Sequence, residues 1–179
     1  EYYTAMAYRT GEIAEYPDVD FANPDSLGVF DVATLQAMYG ANSTTRTGND
    51  TYGVTDKIVT IWDAGGNDAI DFSTSRTDGV IDLRAATLLE EAGGGGWASF
   101  ADMNGTDVGA YMIAYGVVIE NAYSGAGDDT VTGNAAANRL LAGLGDDTVT
   151  GGAGNDTIEG SDAGQEIETI DLIEMNTDA

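Results

Sequence analysis

The chain has 179 residues, enough for one or two domains, and sets six lysines and arginines against 31 aspartates and glutamates, a formal net charge of −25. That balance makes nucleic acid and anionic membrane surfaces poor partners. There is no cysteine to form a disulfide staple, and no apolar run approaches the roughly 20 residues of a membrane span. The sequence opens on Glu1 without a signal-peptide pattern, so it is expected to be a processed or truncated piece.

In chain order, the first element expected is a helix over 31–39. The stretch DVATLQAMY puts Val32, Leu35 and Tyr39 on one helical face, and Gly40 stands as its C-terminal stop. A turn-rich linker, GANSTTRTGNDTYG, follows. KIVTIWDAGGNDAIDFS then alternates apolar and polar residues into a Gly/Asp loop, 63–68, followed by Ile70 and Phe72, which predicts a strand leading into a first coil. Further strands are expected in GVIDLR and YMIAYGVVIEN. Between them Gly93–Gly96 read as a soft excursion loop.

From Ser124 to Gly160 a nine-residue period takes over. Val131, Leu140, Val149 and Ile158 are spaced nine apart, as are Asp129, Asn138, Asp147 and Asp156. Each unit is a six-residue Gly/Asp turn followed by three residues with one apolar centre, a loop and a very short strand. Three extended residues send one side chain inward and two outward. No unit can bury its aliphatic residue alone, and stacking does so. The fold class expected is therefore mostly β, a right-handed parallel β-roll with two units per coil. Beyond Gly160 the pattern weakens: Ile167 keeps phase but Gln165 stands where an aspartate is wanted, as in a capping coil.

Stacked strands lie roughly 4.8 Å apart, which would bring Asp129 over Asp147. At an effective dielectric of about 20 such a pair repels by roughly 3.5 kcal/mol, so a hard cation is expected between the turns. The ladder set is Gly125, Gly127, Asp129, Asn138, Gly143, Gly145, Asp147, Gly152, Gly154 and Asp156. Carboxylates and turn carbonyls, in a chain without histidine or cysteine, favour several calcium ions over zinc or copper. Asn138 brings no charge, so its pairing with Asp156 should be the weaker site. Asp128, Asp146 and Asn155 fall one position off the ligand phase and read as solvated surface. GGAGNDTIE at 151–159 fits the known calcium-binding RTX nonapeptide G-G-x-G-x-D-x-U-x in full.

AMYGANSTTRTGNDTYG, TIWDAGGNDAIDFS and GVVIENAYSGAGDDTVTGNAAANRLLAGLGDDTVTGGAGNDTI together resemble the C-terminal half of serralysin-type secreted bacterial zinc metalloproteases. YYTAMAYR resembles that family's Met-turn. The resemblance implies that Met6 underlies a zinc site and that Tyr8 is the zinc-associated tyrosine. It also implies one calcium ion held by the backbone oxygens of Arg46, Gly48 and Asp50 with Asp63, Gly65 and Asp68, and a second held by Gly66, Asp68, the Val118 carbonyl and Glu120. The departure is the absence of any histidine: the H-E-x-x-H zinc motif is not on this chain, so no protease activity is expected from it alone.

Residues 1–42 are thus expected to be the end of a metzincin protease domain, Met-turn and last helix, and 43–179 a calcium-binding RTX β-roll. The function expected is the scaffold of a secreted, extracellular metalloendopeptidase, folding on calcium after export. Its partners would be calcium, an upstream catalytic segment carrying the Zn2+, and type I secretion machinery. The alternative is a non-enzymatic calcium module of an RTX adhesin, surface-layer protein or toxin, which accounts for the repeats but not for YYTAMAYR. A sugar- or ice-binding face built on Thr130, Thr132, Thr148, Thr150 and Thr157 would be a short array.

Overall fold

A computed structural model describes residues 25–101 and 109–160, with the backbone of 171–174. One helix, α1 (Val29–Tyr39), leads into β1 (Thr51–Gly53), β2 (Ile58–Ile61), β3 (Ala69–Asp71), β4 (Gly79–Asp82), β5 (Phe100–Ala101) and β6 (Ala110–Ile113). Then come β7 (Asn121–Tyr123), β8 (Thr130–Thr132), β9 (Arg139–Leu141), β10 (Thr148–Gly152), β11 (Thr157–Glu159) and β12 (Asp171–Glu174). The described chain is mostly strand with one short helix, in keeping with a β-roll-like domain.

Parallel pairing follows from the period. Thr130 faces Thr148 between β8 and β10, and Arg139 faces Thr157 between β9 and β11, so successive nonapeptides alternate between two sheets and every second one pairs. One sheet runs β1-β3-β7-β9-β11 and the other β12-β10-β8-β4-β5; β2 and β6 form a parallel pair of their own. Within the sheets the antiparallel pair is β4 with β5. Inward residues line up as columns: Tyr52, Ile70, Ala122, Leu140 and Ile158 in one sheet, Ile81, Val131 and Val149 in the other. These columns, with Phe72, Leu83, Ile113 and Ile119, form the main core. Removing such apolar surface from water is the chief stabilising term in each three-residue strand.

The register of β1 on β3, Thr51 opposite Ala69, extends the two-unit coil upstream of the nonapeptides. YMIAYGVVIEN is two strands rather than one. Gly116, at φ 81°, breaks it, with β6 pairing with β2 and β7 entering the sheet beside β3. Gly93–Gly96 do leave the coil, but they are buried, not soft. Gly94 N–H bonds Glu91 O, and a Cβ on Gly94 would lie 2.0 Å from Leu89 O, so only glycine can pack there.

Helix α1 begins two residues earlier than expected. Gly28 N–H donates to Asp31 Oδ2 at 3.1 Å, placing an acidic side chain in the first turn, where the helix dipole favours it. Gly40, at φ 83°, ends it with its N–H on Gln36 O. Val29 is fully buried, in a second cluster with Ile58, Ala86, Phe100 and Met112. Val32, Leu35 and Tyr39 do share a face, but Leu35 and Tyr39 are exposed. With Leu27, Gln36 and Trp62 that face lines a groove of about 370 Å³.

Candidate metal centre

The residue immediately before each strand of the β1-β3-β7-β9-β11 sheet carries a side-chain oxygen: Asp50, Asp68, Glu120, Asn138 and Asp156. Parallel pairing stacks them, and the backbone ties them together. Asp50 N–H donates to Asp68 Oδ1 at 2.7 Å, Asp68 N–H to Glu120 Oε2 at 2.9 Å, and Asn138 N–H to Asp156 Oδ1 at 2.9 Å. The other sheet repeats the device. Gly79 N–H donates to Asp129 Oδ1 at 2.6 Å, and Asp129 N–H to Asp147 Oδ1 at 2.9 Å. The sequence period identified the lower part of each column. That Asp50, Asp68 and Glu120 continue one of them was missed, although the 18-residue step from Asp50 to Asp68 was a usable signal.

Asp63 reaches the head of that column from the loop after β2. One carboxylate oxygen each from Asp50, Asp63 and Asp68 lies within 4.8 Å of the others. Asp63 Oδ1 accepts from Gly65 N–H at 2.9 Å. Its Oδ2 accepts from the Tyr52 hydroxyl at 2.6 Å, a contact sequence reasoning did not find. Asp63, Gly65, Val118 and Glu120 line one cavity of about 280 Å³. Gly48 O sits 2.0 Å from where a Cβ on Gly66 would be, so the 46–50 loop closes directly over the 63–68 loop. The Val118 side chain is half exposed and carries no donor atom, so only its carbonyl oxygen could serve an ion.

The turn glycines approach in pairs: Cβ atoms on Gly143, Gly145, Gly152 and Gly154 would strike the carbonyls of Gly125, Gly127, Asn134 and Ala136. Asp129, Asn138 and Asp147 are buried, and Asp156 is half buried. Asn138 is engaged within the protein, its Oδ1 taking Asn134 N–H at 2.9 Å and its Nδ2 giving to Glu120 O at 3.0 Å. Asp128 and Asp146 are exposed, as expected, yet they form an outer stack. Asp146 N–H donates to Asp128 Oδ1, and Asp128 N–H to Asp78 Oδ1. Met6 and Tyr8 lie outside the described residues.

The electrostatics differ from simple stacking repulsion. Burial is the main cause that raises the Asp129 carboxyl to about 6; the Gly79 N–H opposes it and the charge of Asp147 adds to it. Asp68 is also raised, first by burial, then by the charges of Asp63, Glu120 and Asp50. Desolvation thus outweighs like-charge contact, while the donated backbone N–H groups favour the charged form and oppose both. Asp68 Oδ2 and Asp129 Oδ2 are buried with no hydrogen-bond partner. Orphaned carboxylate oxygens in an all-oxygen donor set fit a hard cation.

A carboxyl whose pKa is about 6 when folded and 3.8 ordinarily binds its proton more tightly in the folded chain. Stability of the cation-free protein therefore rises as pH falls through about 6 and stops rising near 3.8. In chelator, the strand signal that remains in circular dichroism should be larger at about pH 5 than at about pH 7; the reverse order would remove Asp129 as the controlling group.

A family model described as Peptidase M10 serralysin C terminal matches residues 29–179. The chain is 42% identical over 123 residues to Metallopeptidase AprA of Pseudomonas marginalis, covering 60% of this chain and 23% of that protein. It is 41% identical over 125 residues to Serralysin of Proteus mirabilis, covering 62% and 23%. With Serralysin of Photorhabdus laumondii the identity is 37% over 153 residues, covering 77% and 29%. The chain spans about a quarter of the length of these relatives. Since the family match runs from the first residue of α1 through the last strand, the chain belongs to the peptidase M10 serralysin C-terminal family.

Proposed function

We propose that this chain is the calcium-binding scaffold of a secreted serralysin-like zinc metalloendopeptidase, a right-handed parallel β-roll of RTX nonapeptides that folds on calcium after export by type I machinery. The observation that carries the reading is the Asp50–Asp63–Asp68 cluster, in which Asp68 is fully buried and its Oδ2 has no hydrogen-bond partner. Asp63 and Asp68 would hold one ion with backbone oxygens of Arg46, Gly48, Asp50 and Gly65. Gly66, Asp68, Val118 and Glu120 would hold a second. Asp129 with Asp147, and Asn138 with Asp156, would hold others together with the carbonyls of the turn glycines. Calcium, when bound, supplies the positive charge that lets buried carboxylates stay ionised.

The chain's own residues do the rest. Backbone N–H groups of Asp50, Asp68, Asn138 and Asp129 fix the carboxyl groups of their stacked neighbours, so the ligands are oriented by the pairing of the strands. Where calcium is scarce, burying these carboxylates disfavours the stack and suits export as an unfolded chain. Outside the cell an affinity of roughly 10⁻⁴ to 10⁻³ M, usual for extracellular modules, would close it.

Residues 1–42 would complete the protease domain, with Met6 in the Met-turn and Tyr8 beside the zinc, and 43–179 would be the roll. Catalysis would belong to an upstream segment that supplies the histidines this chain lacks. The exposed Leu35, Met38 and Tyr39 of α1 support that reading, since among the described residues the helix is packed chiefly through its first turn, which leaves its other end for an upstream segment to cover. Calorimetry of the chelator-stripped chain should show uptake of several calcium ions and much weaker uptake of magnesium, whose stricter octahedral demand these loops suit less well. No heat with calcium would sink the proposal.

A further inference from the structure

Behind the three-carboxylate cluster stands a relay of two side chains. Arg46 Nη1 donates to the Tyr52 oxygen at 3.1 Å, and the Tyr52 hydroxyl donates to Asp63 Oδ2 at 2.6 Å. The direction of the proton is fixed by chemistry: a guanidinium offers donors only, so the one phenolic hydrogen goes to Asp63. The Arg46 guanidinium also lies 5.2 Å from the centre of the Tyr52 ring. On the other side that ring meets Tyr111 edge to face, 5.7 Å between centres, and the Tyr111 hydroxyl is anchored on Gly53 O at 2.9 Å.

Both oxygens of Asp63 are thereby oriented, Oδ1 by Gly65 N–H and Oδ2 by Tyr52. Tyr52 and Asp63 are both buried, so the bond between them does not compete with bulk water. Arg46 itself sits at φ 50°, an unusual conformation for a residue with a side chain. From there its backbone belongs to the loop that carries Gly48 and Asp50, while its side chain turns back onto β1. The relay therefore joins the two loops that face each other across the cluster.

The geometry points to Tyr52, backed by Arg46, as the positioning residue of this cation site, holding the Asp63 carboxylate in its ligating orientation. The inference rests on the calcium reading of the Asp50–Asp63–Asp68 cluster. Groups that orient a ligand from behind commonly govern metal affinity by about 10- to 100-fold.

The test titrates the stripped full chain with calcium by calorimetry and with terbium, a luminescent stand-in for calcium. Trp62 lines the same cavity as Asp63, so indole-sensitised terbium emission that disappears in Trp62→Phe reports this site. Tyr52→Phe keeps the ring and its contact with Tyr111 but removes the hydroxyl. It should weaken terbium and calcium at this site about 10-fold and leave the turn-stack sites unchanged. Arg46→Met should weaken the same site in the same direction but by less, and it carries the test should Tyr52→Phe not fold. Unchanged affinity at this site, or an equal loss at every site together with a lower melting temperature, would overturn the positioning role. A wild-type chain that takes up no calcium would instead overturn the calcium reading itself, before any variant is made.

Discussion

Stripped of divalent cations, the chain should lose most of its strand signal in circular dichroism and regain it as calcium is added over roughly 10⁻⁴ to 10⁻³ M. The reason lies in how little each repeat buries. One aliphatic side chain, Val131, Leu140, Val149 or Ile158, serves nine residues, and its burial contributes only about 2 kcal/mol. Against it stands the ordering of the whole unit and the desolvation of Asp129, Asp147 and Asp68, each almost fully buried. A ligand bound only by the folded state shifts that balance by about 2.7 kcal/mol per site at 100 times its Kd, and several sites act together. A full strand signal in excess chelator, or equal recovery with magnesium, would refute the account.

Replacing Gly145 by valine should be the most damaging single change, on the order of 4 kcal/mol or more. Gly145 adopts φ 136°, where a β-branched residue is strained, and its Cβ would lie 1.9 Å from Gly127 O in the turn stacked above. Backbone blocks the space, so no rotamer change can relieve the clash. Gly53→Ala is the control: a Cβ there meets only Asp71 O, at an ordinary 3.9 Å, and the substitution should stay within about 0.5 kcal/mol. Urea unfolding of both variants in saturating calcium decides the matter; equal midpoints would mean that the stacking of turns is not what the glycines serve.

The repeats were legible because their period is a side-chain period. Val131 facing Val149, and Leu140 facing Ile158, could be read from spacing, since a strand with one inward residue admits one register. The family resemblance named Asp50, Asp63 and Asp68 for one ion, Asp50 by its backbone oxygen; that its carboxylate also lies beside the other two was not read. What stayed hidden was pairing across the excursion. β3 skips to β7 with a sequence separation of 52 at Asp68–Glu120, and β4 to β8 with 50 at Gly79–Asp129. No local pattern encodes which strand is met after such a gap. Tyr52 fell within the stretch expected to be a turn-rich linker; its ring is core on β1, and its hydroxyl, reaching Asp63, serves the site. The stacked acids looked mutually repulsive because the sequence does not reveal that each is held by a backbone N–H from the strand before it.

The 18-residue offset between paired turns also sets the unit in which this protein tolerates changes of length. Removing one nonapeptide would transpose every downstream strand to the opposite wall, exchanging the Asp129 column for the Asp156 column and leaving each turn beneath a foreign neighbour. Removing two would shorten the molecule by one storey and leave the remaining floors aligned.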